Sequence, residues 1–189
     1  MPDDYYPWGG EFTVCNNKSC VAVVLLNIDF TPSKKVAIYG PLKTENIGIE
    51  KIVANVISNP NIRYIILCGD DIRGHRSGSS LVALNKNGID KNNRIIDAPG
   101  AIPYIENLKE KAIKRFQKQI EIVNLIGVSD KKTIDERIDY YINKSPESYG
   151  EPYIAIKIKQ KYDISLDDKR VIHSKIKIDY MGRIDERGE

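Results

Sequence analysis

The chain holds two histidines. One of them, His75, stands in the stretch "CGDDIRGHRSG" (68–78), framed by Gly69, Gly74 and Gly78 and preceded by Asp70 and Asp71. A neutral imidazole is a good donor to a borderline metal, and a carboxylate or carbonyl on its second nitrogen fixes the tautomer. Asp70 and Asp71 are the nearest carboxylates in sequence. Two other readings compete. Glycine-framed amides feeding a helix near Ser79 could cradle a phosphate, although GxGxxG spacing and a Walker-type lysine are both missing. A solvated turn histidine is the third reading. His173 lies in an alternating run beside Lys175 and Lys177 and reads as a solvent-facing strand residue.

The elements around the loop place it. "SCVAVVLLN" (19–27) is a continuous apolar, β-branched run, the pattern of a strand buried on both faces. "KKVAIYG" (34–40) and "RYIILCG" (63–69) read as further strands, and "IEIVNLIG" (120–127) as a fourth. Between them, Ile49, Ile52, Val53, Val56 and Ile57 follow helical spacing until Pro60 forbids continuation. "SSLVALNKNG" (79–88) reads as a short helix closed by Gly88. A longer helix is expected from Pro103, with Ile105, Leu108, Ala112, Ile113 and Phe116 along one stripe. A last helix follows a cap at Ser129 or Asp130, with Ile134, Ile138, Tyr141 and Ile142 inward.

Such alternation predicts an α/β fold, a Rossmann-like, mostly parallel sheet with flanking helices. Ligands in such sheets sit beyond the carboxyl ends of the strands, where the turn at 40–48 and the loop at 69–79 both fall. The aromatic start "MPDDYYPWGGEF" reads as an irregular arm packed on the body. From Glu151 the pattern alternates with period two. "EPYIAIKIKQK" and "RVIHSKIKIDY" predict an antiparallel hairpin joined by "YDISLDDK". The expected organisation is a ligand-binding domain over 1–150 and a small β appendage over 151–189.

Composition narrows the function classes. The formal net charge of +3 is spread over 29 basic and 26 acidic residues, and the Lys-rich "KEKAIKRFQK" (109–118) falls on a helical pattern as a solvated face. No nucleic-acid partner is expected. The longest apolar run, "VAVVLLN", is far short of the ~20 residues that cross a bilayer, so no direct membrane insertion is expected. Cys15, Cys20 and Cys68 form an odd set without zinc-type spacing, and with no signal-peptide pattern the expected location is a reducing cytoplasm.

"GPLKTENIGIEKIVANVISNPNIRYIILCGDDIRGHRSGSSLVALNKNGID" (40–90) with "APGAIPYIEN" (98–107) resembles the A subunit of tetrahydromethanopterin S-methyltransferase, the corrinoid-carrying component of a sodium-pumping methyltransferase of methanogenic archaea. The specific strings are "TENIGIEK", "SNPNIR", "CGxxxxGH" and "GAIPxIEN" in that order. The resemblance implies a cobalamin or related corrinoid and methyl carriage on its cobalt, from N5-methyl-tetrahydromethanopterin to the thiolate of coenzyme M. It places the family's cobalt-associated histidine on His75, direct or through water. "HRSG" also matches the end of the Asp-x-His-x-x-Gly loop of another corrinoid group, but Arg73 stands where that loop has aspartate.

The partners implied are methyl-donor and methyl-acceptor methyltransferase subunits, without which the chain is not expected to be catalytic. Members of the membrane complex carry a hydrophobic helix after the soluble domain. Here a charged β segment stands in its place, so a cytoplasmic homologue is expected. Further contacts follow from position: Gly69, Gly74 and Gly78 admit a flat ring closely. Asp70, Asp71 and Ser79 share that loop, Thr44, Glu45 and Asn46 reach peripheral amides, and Gly100, Ala101, Ile102 and Pro103 form a wall. Two rival readings remain: a non-catalytic corrinoid sensor or regulator, and a Rossmann-like nucleotide binder.

Overall fold

The computed structural model describes residues 5–156, 170–172, 176–179 and 184–186; His173 and the segment 157–169 lie outside them. By its contacts the chain divides into Met1–Ile158 and Lys159–Glu189. In the first unit the strands are β1 (Thr13–Val14), β2 (Val21–Leu25), β3 (Ile38–Pro41), β4 (Tyr64–Gly69) and β5 (Glu121–Ile126). The helices are α1 (Ile47–Ser58), α2 (Ser77–Asn87), α3 (Glu110–Gln119) and α4 (Lys131–Asn143).

All five residues of β2 are buried, as an uninterrupted apolar run requires. Both its neighbours run parallel to it, with Ala22 opposite Ile38 and Val21 opposite Tyr64. The sheet order is β1-β3-β2-β4-β5, and only β1 is antiparallel to its neighbour. Alternate residues serve the two faces. Ala22, Val24, Ile65 and Leu67 cluster with Ile49 and Val53 of α1, Leu81 of α2 and Phe116 of α3. Val21, Val23, Ile66 and Cys68 cluster with Ile134 and Ile138 of α4 and with Phe30 and Val36 from the β2–β3 connection. Successive strands step outward on one side of β2 and then on the other. The order therefore reverses between β2 and β4, the position beyond whose carboxyl ends ligands bind in sheets of this class.

One buried amide closes a helix end. α1 stops before Pro60, and its last carbonyls would be orphaned in the interior. Gln119 Nε2 donates to the carbonyls of Val56, Asn59 and Ile62 at 3.2, 3.0 and 3.0 Å.

Three expectations need correcting. The helix expected from Pro103 begins at Glu110. Residues 103–107 spend their backbone groups on tertiary partners instead: the Ile95 amide donates to Pro103 O at 2.9 Å, and the amides of Glu106 and Asn107 donate to Glu50. The stripe residues Ile105 and Leu108 are buried all the same. β1, which follows the irregular N-terminal arm, gave no signal in the sequence: Thr13 and Val14 pair with β3. "RVIHSKIKIDY" is not one strand. It contributes both β6 (Arg170–Ile172) and β7 (Ile176–Asp179), paired antiparallel with Arg170 opposite Asp179, and β8 (Ile184–Glu186) completes a three-stranded sheet in the order β6-β7-β8. Residues 151–156 form no strand; Tyr153, Ala155 and Ile156 pack on the core of the first unit. Among the described residues no helix is long and apolar enough to cross a membrane.

Gln119→Ala should lower stability by about 2 kcal/mol, because the amide serves three buried carbonyls. Urea denaturation should show a lower midpoint at unchanged slope. Cys68 is fully buried, and that burial pushes its thiol up to about 11. At pH 8 it should resist iodoacetamide until the chain is unfolded, as mass spectrometry of the modified peptides would read.

Candidate functional site

Three loops at the carboxyl ends of the parallel strands converge on one carboxylate. Glu45 precedes α1 and is buried, 4% exposed. Its Oε2 lies 3.1 Å from His75 Nδ1, and its Oε1 accepts from the Ile102 amide at 3.1 Å. The His75 side chain is 60% exposed. With Nδ1 facing the carboxylate, Nε2 is the nitrogen left to face a ligand. Burial alone would raise the Glu45 carboxyl. Its own backbone amide, the Ile102 amide and His75 outweigh that and hold it below the ordinary carboxylate range.

The loop carrying His75 is shaped by its neighbours. The Arg76 amide donates to Ile72 O at 2.9 Å, closing a turn that lifts residues 73–75 outward. Arg76 itself takes φ 43°, a left-handed conformation that costs a non-glycine residue about 1–3 kcal/mol. Gly69 (φ +91°) and Gly74 (φ +98°) adopt the same region without that cost. A side chain at Gly74 would meet nothing within 4 Å. Gly78 is different: a Cβ there would come 2.7 Å from Leu26 Cδ1, so its role is close packing of α2 on the sheet.

The acids near His75 in sequence are not its partners. Asp71 accepts from the amides of Gly78 and Ser79 at 2.9 and 2.8 Å and from Ser79 Oγ at 2.7 Å. It therefore stabilises the positive end of α2. Asp70 offers its backbone to Asn27, whose amide donates to Asp70 O at 3.1 Å. The carboxylate at the imidazole is Glu45, thirty residues away, which corrects the expectation that Asp70 or Asp71 fixes the tautomer. The phosphate-cradle reading meets the same obstacle. The α2 amides it would use are already held by Asp71.

The remaining predicted positions divide between the site and its supports. Gly100 sits at the heart of it: a Cβ there would lie 2.7 Å from His75 O, 2.8 Å from Ser80 Oγ and 2.9 Å from Glu45 Cγ. Ala101 and Ile102 are exposed on the same loop, and Pro103 is buried beneath it. Thr44 Oγ1 accepts from the Gly48 amide and Asn46 Oδ1 from the Ile47 amide. Both therefore build the first turn of α1.

Sequence reasoning missed two features. Glu50, 1% exposed, accepts from the amides of Glu106 and Asn107 and from Asn107 Nδ2, fastening residues 105–107 to α1. Ile47, the first residue of α1, and Ile72 and Ile102 on the loops that carry His75 and Gly100 are exposed at 40, 52 and 59%. Scattered exposed isoleucines need no account, but these three lie within a few residues of Glu45, His75 and Gly100 and give their surroundings an apolar edge. An exposed isoleucine looks like any other in a one-dimensional pattern, so only the juxtaposition reveals it.

A mostly parallel α/β sheet with helices on both faces and an imidazole–carboxylate pair at its strand ends defines a protein of the doubly wound class. Likeness to known proteins specifies it further. The family model for the A subunit of tetrahydromethanopterin S-methyltransferase matches residues 2–183. The first of two such A subunits in Methanothermobacter thermautotrophicus is 48% identical over 155 residues, 80% of this chain and 65% of the relative. The A subunit of the same enzyme in Methanohalophilus mahii is 42% identical over 153 residues, 79% of this chain and 63% of the relative. The second A subunit of Methanothermobacter thermautotrophicus is 42% identical over 164 residues, 85% of this chain and 90% of the relative. The chain belongs to the family of tetrahydromethanopterin S-methyltransferase A subunits. It spans just under two thirds of the length of the first two relatives.

Gly100→Ala should cost about 1–3 kcal/mol by overpacking and should move the His75 ring resonances in nitrogen NMR. The sign of the pH effect at Glu45 follows from its lowered pKa. Its contribution to stability is complete above the ordinary value of 4.5 and is lost as pH falls through the lower folded value. Glu45→Gln should therefore flatten the loss of stability below about pH 4.5, read by urea denaturation at a series of acid pH values.

Proposed function

We propose that this chain is a corrinoid-binding methyl carrier that works with separate methyl-donor and methyl-acceptor methyltransferase subunits. The transfer is from N5-methyl-tetrahydromethanopterin to coenzyme M, or a reaction of the same class. The observation that carries the proposal is the His75–Glu45 pair: an exposed imidazole, held by a buried carboxylate through Nδ1, that presents Nε2 at the strand ends. The relatives are named as subunits of a methyltransferase, which supports the transferase class.

The residues present fit such a cofactor. A metal that its cofactor already binds would need no cluster of protein ligands, and the neutral imidazole of His75 would supply the protein's one donor to it. Gly74 leaves the approach open, Gly100 lets its loop close on His75, and Ile47, Ile72 and Ile102 offer apolar surface to a broad ring. When bound, the corrinoid's cobalt would supply the site that accepts and releases the methyl group. The protein's own part is positional. Glu45 keeps the His75 proton on Nδ1 and fixes the ring, and Arg76 and Asp71 hold the turn that presents it. The three cysteines are free, which suits work in a reducing cytoplasm.

Titration of the purified protein with hydroxocobalamin should give saturable changes in the corrinoid absorption bands. His75→Ala should bind with a different spectrum, and Glu45→Gln should bind about 10–100-fold more weakly. A protein that leaves the spectrum unchanged, or a His75→Ala variant with the parent's spectrum, would overturn the proposal. Nucleotides tested in parallel by thermal melting should give no shift.

A further inference from the structure

A cavity lies away from the Glu45–His75 pair, between the N-terminal arm, β3 and α1. It has a volume of about 100 Å³. The arm is fastened across α1 by three side chains of that helix end. Asn55 accepts from the Trp8 amide at 2.9 Å and donates to Trp8 O at 2.8 Å, as a neighbouring strand would. Ser58 Oγ accepts from the Tyr6 amide at 2.8 Å, and Asn59 Nδ2 donates to the Tyr6 hydroxyl at 3.0 Å.

The walls under this strap are apolar, with Phe12, Ile38, Ile52 and Val56 among them. Two charged residues line it, Glu11 and Lys51. Glu11 is taken by Lys43 at 2.6 Å. Lys51 has no ion-pair partner among the described residues, and its stem runs 3.7 Å from where a Cβ on Gly10 would lie. A pocket of this size with mostly apolar walls gains by accepting an apolar group in place of water. Half-buried Lys51, a cation at the wall without an ion pair among the described residues, favours a monoanion.

We propose that this cavity binds a small aliphatic carboxylate, with an apolar body of about four carbons under the strap and the carboxylate on Lys51. A phosphate or larger dianion is disfavoured, because one cation faces it and the walls are apolar. None of the lining residues contributes to the Glu45–His75 pair, so the site is independent of the corrinoid reading.

The test uses butanoate and its neutral isostere butanamide, titrated into the protein and followed by the amide resonances of Gly10, Gly48 and Ile52. Butanoate should give saturable shifts and bind about tenfold more tightly than butanamide. Lys51→Met keeps the stem and should remove that preference. Gly10→Leu, at a glycine with ordinary backbone and room beside it, should fill the cavity and abolish both. Thermal melting confirms that each variant is folded, and His75→Ala should bind butanoate as the parent does. Absence of saturable shifts in the parent, equal binding of the two compounds, or undiminished binding by folded Gly10→Leu would overturn the proposal.

Discussion

A carboxylate taken out of water has to be fully hydrogen-bonded or it will not remain ionised. Glu45 meets that requirement with groups from two other loops, the ring of His75 and the amide of Ile102. The requirement therefore does more than hold one side chain. It brings the turn before α1, the loop after β4 and the segment after Gly100 to one point. The closeness of Gly100 to both Glu45 and His75 follows from that convergence, since any side chain there would separate them. The site is best seen as the hydration shell that Glu45 lost, rebuilt from protein.

Glu50 repeats the arrangement one turn further along α1. It too is buried, and it too takes amides from the segment after Gly100, those of Glu106 and Asn107. Two acids on the same end of one helix thus grip one stretch of chain at two places. The strings "TENIGIEK" and "GAIPYIEN", far apart in sequence, are the two halves of this grip. Neither half is satisfied without the other.

The fold was largely legible because its signals are local. "VAVVLL" and "IILC" are continuous apolar runs, and those become the doubly buried strands β2 and β4. Gly88 and Asp130 mark helix ends by their own conformation and side chain. The errors lie where backbone groups have distant partners. Residues 103–109 have the apolar stripe of a helix, but Glu50 and Ile95 claim their amides and carbonyls, and the stripe is buried without the helix. The partner of His75 was missed for a related reason. Asp70 and Asp71 are close in sequence, but Asp71 can reach the amides of α2 at once and is spent there. The acid that remains available is Glu45, on another element. Residues 157–169 and His173 fall outside the described residues, so the sequence reading of the joining segment stands without a structural counterpart.

The allocation of acids also decides what kind of ligand the strand ends can take. In many doubly wound sheets the helix N-terminus beyond a central strand is an anion trap. Here Asp71 already occupies that position on α2 with two amides and a hydroxyl. An incoming phosphate would have to displace a charge of its own sign. With the helix end closed to anions, the chemistry left facing solvent is the His75 imidazole and the exposed Ile47, Ile72 and Ile102. One basic nitrogen among isoleucines cannot compensate a multiply charged group. The placement of one aspartate and one glutamate thus closes, in this sheet, the anion site that the same backbone class elsewhere offers to nucleotides.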